Sequence, residues 1–200
     1  MNVAIACGGT GGHIFPGVAT ADVLKSRGHA VTLWLAGRDV ESGSTSGWSG
    51  PVISVRAAGF PSGFSLRAVA VAGRLGVAFL QCRSRMKADR PDVLLAMGSY
   101  ASVGPVLAAR TLGVPVVLHE ANAVPGRAIS FLSRFAGTVA VAFPEAASHL
   151  RRAPVVVTGF PVRTDLDAGR FEDAVLKPGV FTVLVMGGSQ GAHRLNEIVP

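Results

Sequence analysis

The chain has 200 residues, 49% hydrophobic and only 6% aromatic, with 25 glycines, which supplies a sizeable core and excludes an intrinsically disordered chain. That glycine content fits an α/β chain with many tight strand–helix turns better than a β-sandwich. A formal net charge of +7 favours anionic partners without choosing among nucleic acid, acidic lipid and phosphorylated metabolites.

The first element is a strand over 2–7 (NVAIAC), which runs into GGTGGHIFPG and a helix over 14–27. The N-terminus has no basic n-region, so no signal peptide is expected. A glycine-rich turn between strand and helix offers backbone N–H groups and a helix N-terminus to an anion. Dinucleotide binding is disfavoured: counted from Gly9, the third glycine position of G-x-G-x-x-G holds Ile14. The second strand, 30–36 (AVTLWLA), also ends on Leu35-Ala36-Gly37, without the acid that would hold a ribose. His13 falls where the loop becomes helix, a position that lowers a histidine's pKa and suits it to accept a proton. A capping or packing histidine is the bland alternative.

After a short strand over 51–56 comes a helix over 64–88, containing FSLRAVAVAGRLGVAFLQCRSRMK. Apolar residues occupy nearly every side of it, and its charges are all basic. Two readings stay open. One is a buried helix; in the other, Phe64, Leu66, Leu75 and Phe79 meet lipid while Arg67 and Arg74 meet anionic headgroups. Those arginines interrupt the most apolar region, so no transmembrane helix is expected. Nucleic acid is not an expected partner, because stacking aromatics are scarce and no nucleic-acid-binding signature is present.

Further strands are expected over 92–96, 115–118, 138–142 and 154–158, with helices over 102–112, 125–135 and 145–151. Near-continuous apolar strands alternating with helices indicate a doubly wound, Rossmann-like parallel sheet. AMGSYASVGP (96–105) and HEANAVPG (119–126) follow the fourth and fifth strands, at the sheet edge that also carries the first glycine loop. Tyr100, His119, Glu120 and Asn122 could therefore meet His13 in one cleft. As neighbours in a strand, His119 and Glu120 would point to opposite faces, and Glu120 and Asn122 could serve only to shape the loop. Cys7 and Cys82 have no metal or disulfide spacing, the histidines are scattered, and no metal site is expected; a reducing cytoplasm is the default setting. A polar stretch over 159–179 precedes a new strand, VFTVLVMGG, and SQGAHRLNEIVP, the opening of another helix.

Taken together, GGTGGHIFPG, MGSYASVGP, HEANAVPG, GFPVRTD and GGSQGAHRLNE resemble the MurG family of peptidoglycan glycosyltransferases, in order along the whole chain. The resemblance implies a two-domain GT-B architecture and an inverting transfer of N-acetylglucosamine from UDP-N-acetylglucosamine to lipid I, the undecaprenyl-diphosphate-linked muramyl-pentapeptide. It implies an acceptor- and membrane-binding domain over 1–160. Residues 161–200 would be a linker and the incomplete start of the donor domain, so that the chain alone would turn over little. Thr10, Gly11, Gly12, Asn122, Arg163 and Ser189 would contact the donor, and Gly9, Tyr100 and His119 would line the acceptor side. His13 would be the base, with Glu120 as the competing candidate. No cofactor is implied. The family's membrane patch would fall on 64–87, making an anionic membrane a partner and the cytoplasmic face of the plasma membrane the location. Alternatives are a related GT-B glycolipid glycosyltransferase or a non-catalytic lipid-binding fragment. The family's usual GMGGY is altered here, with Ala96 and Ser99 at two of its glycines.

Overall fold

A computed structural model of the chain describes residues 1–37, 45, 47–55, 66–162, 179–183, 185 and 193–199. The chain divides into two compact units, Met1–Thr164 and Asp165–Pro200.

The first unit is built on seven strands: β1 (Asn2–Ala6), β2 (Ala30–Leu35), β3 (Val52–Ser54), β4 (Val93–Ala96), β5 (Val116–Glu120), β6 (Thr138–Val141) and β7 (Val155–Val157). They form one sheet in the order β3-β2-β1-β4-β5-β6-β7, and every pairing is parallel. The expected Rossmann-like class therefore holds. Period-two alternation sorts the strand residues between two cores. Val3, Ile5, Val31 and Leu33 pack with Ile14 and Val18 of α1 (Gly11–Ser26) on one face. Ala4, Ala6, Leu94, Leu118 and Val139 pack on the other, beneath α2 (Leu66–Ala88), α3 (Val103–Thr111) and α4 (Arg127–Leu132). Burying each large side chain among these contributes about 1.5–3 kcal/mol.

The long helix α2 buries one stripe and leaves apolar side chains exposed elsewhere. Ala78, Cys82 and Met86, four residues apart, form a fully buried stripe against the core. Burial pushes the Cys82 thiol up to about 12, so it is not a reactive nucleophile. Away from that stripe, Val77 is 51% and Leu80 63% exposed.

Three boundaries differ from the sequence expectation. Helix α1 begins at Gly11, so Gly11, Gly12 and His13 form its first turn. Strand β5 extends to Glu120, which takes His119 and Glu120 out of the following loop and into the ladder opposite Ala140 and Val141. The helix expected over 145–151 is a 3-10 segment, Pro144–His149, without a capping side chain and closed by short bonds such as Leu150 N–H to the Ala147 carbonyl.

In the second unit, a short helix α5 (His193–Ile198) carries a His193–Glu197 pair at 3.0 Å. The strand expected from 180 is not formed over the described residues 180–183 and 185, and Phe181 is 93% exposed.

Candidate functional site

Strand order reverses at the centre of the sheet, where β1 lies between β2 and β4; in open α/β sheets ligands bind beyond the carboxyl ends of the strands at such a reversal. The two loops leaving those ends touch. Gly9 has φ +116, and a Cβ there would overlap the Ser99 hydroxyl. Gly98 has φ +97; a Cβ on it would lie 3.2 Å from the His13 ring and 3.5 Å from Ile129. Both glycines thus sit where the turn needs a left-handed backbone and a side chain would crowd the groups facing it. Ser99, at φ 65 and ψ 164, is the one positive-φ residue other than glycine among the described residues. It accepts the Ala101 N–H at 3.4 Å.

Thr10 is the N-cap of α1, in extended conformation, and its carbonyl accepts the His13 and Ile14 N–H groups at 3.0 Å. Its hydroxyl lies 2.8 Å from His13 Nδ1. Burial holds the His13 pKa below its ordinary value; Glu120 pulls it upward and His119 reinforces the lowering. The ring is therefore neutral at pH 7. In the tautomer whose Nδ1–H donates to the Thr10 hydroxyl, Nε2 carries the lone pair of a general base.

His119 is 4% exposed and Glu120 3% exposed, and the two engage different partners, as their alternation in β5 requires. His119 Nε2–H donates to the Gly159 carbonyl at 3.3 Å, and its ring meets Phe160 edge-on at 6.2 Å. Nδ1 is then left as a buried lone pair without a hydrogen-bond partner among the described residues. Burial lowers this histidine's pKa as well, against the raising influence of the Gly159 carbonyl and Glu120. Glu120 has both oxygens engaged by its own loop. Oε1 accepts the backbone N–H and the side-chain amide of Asn122, each at 2.8 Å, and Oε2 accepts the Gly126 N–H at 2.9 Å. This geometry supports the loop-shaping reading of Glu120 over that of a base.

Tyr100, half-buried in a 3-10 turn after β4, lines a cavity of about 270 Å³ with Val103, Arg127, Ala128 and Phe131. Leu75 and Phe79, also half-buried, line a neighbouring apolar cavity of about 490 Å³ with Leu107 and Phe135. Arg74 is exposed on α2; Leu66 and Arg67 lie in its first turn. Phe64, Arg163 and Ser189 lie outside the described residues. Among the described residues, no three His, Cys, Asp or Glu side chains converge as metal ligands, and no helix is long and apolar enough to cross a membrane.

The structure thus brings Gly9, Thr10, Gly11, Gly12 and His13 together against the β4 loop, with His119 and Glu120 within electrostatic reach of His13. Arg127 and Phe131 were missed by sequence reasoning. No motif marks them, and their place beside Tyr100 depends on how α3 and α4 pack.

Comparison with known proteins identifies the family. The family model described as "Glycosyltransferase family 28 N-terminal domain" matches residues 3–141. The chain is 37% identical over 200 residues to the UDP-N-acetylglucosamine--N-acetylmuramyl-(pentapeptide) pyrophosphoryl-undecaprenol N-acetylglucosamine transferase of Citrifermentans bemidjiense, covering 98% of this chain and 56% of that protein. It is 41% identical over 202 residues to the Halorhodospira halophila protein of the same name, covering 99% and 55%. The chain therefore spans about half the length of the curated relatives it matches. Among solved structures it is similar to Acinetobacter baumannii MurG, with a TM-score of 0.68 and 30% identity over 83% of this chain and 47% of that one. At 16% identity, UDP-GlcNAc 2-epimerase from Neisseria meningitidis shares the fold, with a TM-score of 0.60 over 80% of this chain and 46% of that one. By the match over residues 3–141, the chain belongs to glycosyltransferase family 28, whose N-terminal domain it carries.

Proposed function

We propose that the whole protein transfers N-acetylglucosamine from UDP-N-acetylglucosamine to the muramyl 4-hydroxyl of lipid I, with inversion. The observation that carries the reading is His13: a neutral ring in the first turn of α1, at the strand-order reversal, backed by Thr10 at 2.8 Å. The acceptor hydroxyl oxygen attacks the anomeric carbon, the bond from that carbon to the diphosphate oxygen breaks, and UDP departs with the electron pair. The hydroxyl proton passes to His13 Nε2. Backbone N–H groups of the glycine loop, together with Arg163, stabilise the charge growing on the diphosphate. Thr10, Gly11, Gly12, Asn122 and Ser189 hold the donor, and Gly9, Tyr100 and His119 face the acceptor. The α2 face carrying Leu75, Phe79 and Arg74 meets an anionic membrane surface at its cytoplasmic side.

The test is transfer of labelled N-acetylglucosamine by the whole protein to lipid I, with diacylglycerol as the competing acceptor. Transfer to lipid I that is lost in His13→Ala, with donor binding retained, supports the assignment. Near-normal turnover in that variant removes His13 as the base, and transfer only to diacylglycerol makes the protein a glycolipid synthase. A second reading applies to the 200 residues by themselves, for which the apolar cavities beside α2 favour lipid binding without transfer. Sedimentation with anionic vesicles, run beside the transfer assay, separates the two.

A further inference from the structure

The last two residues of β5 hold two different segments. Glu120 engages Asn122 and Gly126 in the loop that follows the strand. His119, on the opposite face, reaches past β6 to the chain beyond β7. Its register partner on β6 is Ala140, a side chain small enough for a ring to extend over. A carbonyl can only accept, so the 3.3 Å contact with Gly159 makes His119 Nε2 the donor and fixes the tautomer.

The Thr158 N–H closes the ladder on the Val141 carbonyl at 3.0 Å. Gly159 then turns the chain with φ +76. A Cβ there would meet nothing within 4 Å, so the left-handed backbone, and not crowding, calls for glycine. Phe160 is 44% and Val162 67% exposed, so burial holds this stretch weakly. The Thr158 hydroxyl donates to the same Gly159 carbonyl at 3.3 Å, but it belongs to the stretch itself. Among the described residues, the hydrogen bond and ring contact that tie 159–162 to the rest of the fold both come from His119. The first unit ends at Thr164, so these residues are the path by which the chain leaves it. A ring that is 4% exposed on an interior strand is a rigid anchor for an exposed turn.

We infer that His119 is a positioning residue: through Gly159 and Phe160 it fixes the direction in which the chain leaves the first unit. This deepens the proposed function, on which its effect on turnover rests. Arg163, given there to the donor, comes four positions after Gly159. Although His119 stands on the acceptor side in that function, its one N–H is committed to Gly159, so its loss is felt at the donor.

Backbone 15N relaxation of the 200-residue chain reads the segment directly, at the amides of Gly159, Phe160 and Val162. Wild-type order parameters should be about 0.85; His119→Phe, which keeps a ring edge for Phe160 but has no donor, should lower them below about 0.6. His119→Gln places an amide N–H where Nε2 stands and should restore them. Gly159→Ala, strained at φ +76, should loosen the same amides with His119 intact, and it serves if His119→Phe does not fold. Unchanged order in His119→Phe overturns the inference, as does unchanged order in Gly159→Ala. In the whole protein, His119→Phe should raise the donor KM about fivefold to tenfold while the lipid I KM holds, and His119→Gln should reverse the rise. A raised lipid I KM with an unchanged donor KM overturns the inference, because His119 then meets the acceptor directly. If the segment loosens as expected but the wild type transfers nothing to lipid I, the proposed function fails and the positioning assignment stands.

Discussion

The carboxylate of Glu120 holds Gly126 across the loop that follows β5, with Oε2 accepting the Gly126 N–H at 2.9 Å while Oε1 takes both N–H donors of Asn122 at 2.8 Å. Three charge-assisted bonds converge on one carboxylate that is 3% exposed. Removing it strands three donors. Glu120→Ala is therefore expected to cost about 3 kcal/mol, and Glu120→Gln about 1 kcal/mol because the amide retains one acceptor. Urea unfolding checks both. If Glu120 shapes the loop and is not the base, Glu120→Gln in the whole protein keeps the shape of the pH–rate profile.

His13 and His119 both have pKa values held below the ordinary 6.5, principally by burial. Each binds its proton less readily when folded, so the unfolded chain takes up more protons just below pH 6.5. Their contribution to stability is fully present above that value and is lost as the pH falls from it toward the lowered folded values. Urea midpoints measured between pH 7.5 and 5 should decline, and His119→Gln should flatten the decline. For turnover by the whole protein, the acid limb should lie below pH 6.5, since neutral His13 is the active form.

Thr10 orients that ring. Thr10→Ser preserves the hydroxyl 2.8 Å from His13 Nδ1, whereas Thr10→Val removes it at nearly constant volume. Turnover is expected to survive the first change within about threefold and to fall about tenfold to a hundredfold in the second, the range of a lost orienting contact. A single-turnover assay at saturating donor measures the difference.

Ser99 holds a backbone conformation that only glycine adopts without cost, and it lies directly against Gly9. Ser99→Gly is expected to stabilise the fold by about 1 kcal/mol, the relief of strain exceeding the loss of a weak 3.4 Å bond from Ala101. Gly9→Ala should destabilise it by more than that, since its φ of +116 is unsuited to a side chain even when the Ser99 hydroxyl is absent. Thermal unfolding of the two single variants and the double variant separates strain from collision.

Membrane attachment through the α2 face is testable too. Replacing Leu75 and Phe79 by serine removes apolar surface there, and sedimentation with anionic vesicles should fall several-fold. Raising the salt should weaken wild-type sedimentation further if Arg74 and its basic neighbours contribute.

Local patterning made much of this legible. β-branched apolar runs between helical stretches identify a parallel sheet, because strands covered on both faces must be apolar throughout. The glycines around Thr10, and the histidine after them, announced a tight turn into a helix N-terminus, since helix initiation depends on residues within one turn of one another. The failed dinucleotide pattern at Ile14 was likewise readable from spacing alone. The α1 boundary was not. Glycine is a poor helix former, and only packing of Ile14 and Val18 into the core draws Gly11 and Gly12 into the helix.

The sequence by itself therefore determined the class of fold, the glycine-rich turn between β1 and α1 and the cast of polar residues, all of which rest on interactions between neighbours in the chain. Tertiary structure alone decided their duties. It turned Glu120 inward onto its own loop, laid Ser99 against Gly9, and buried His119 under Gly159. It also joined Tyr100, Phe131 and Arg127 around one cavity. Each of these joins segments brought together by the crossover connections and by helix packing on the sheet, and burial decides which of their polar groups must be satisfied by one another.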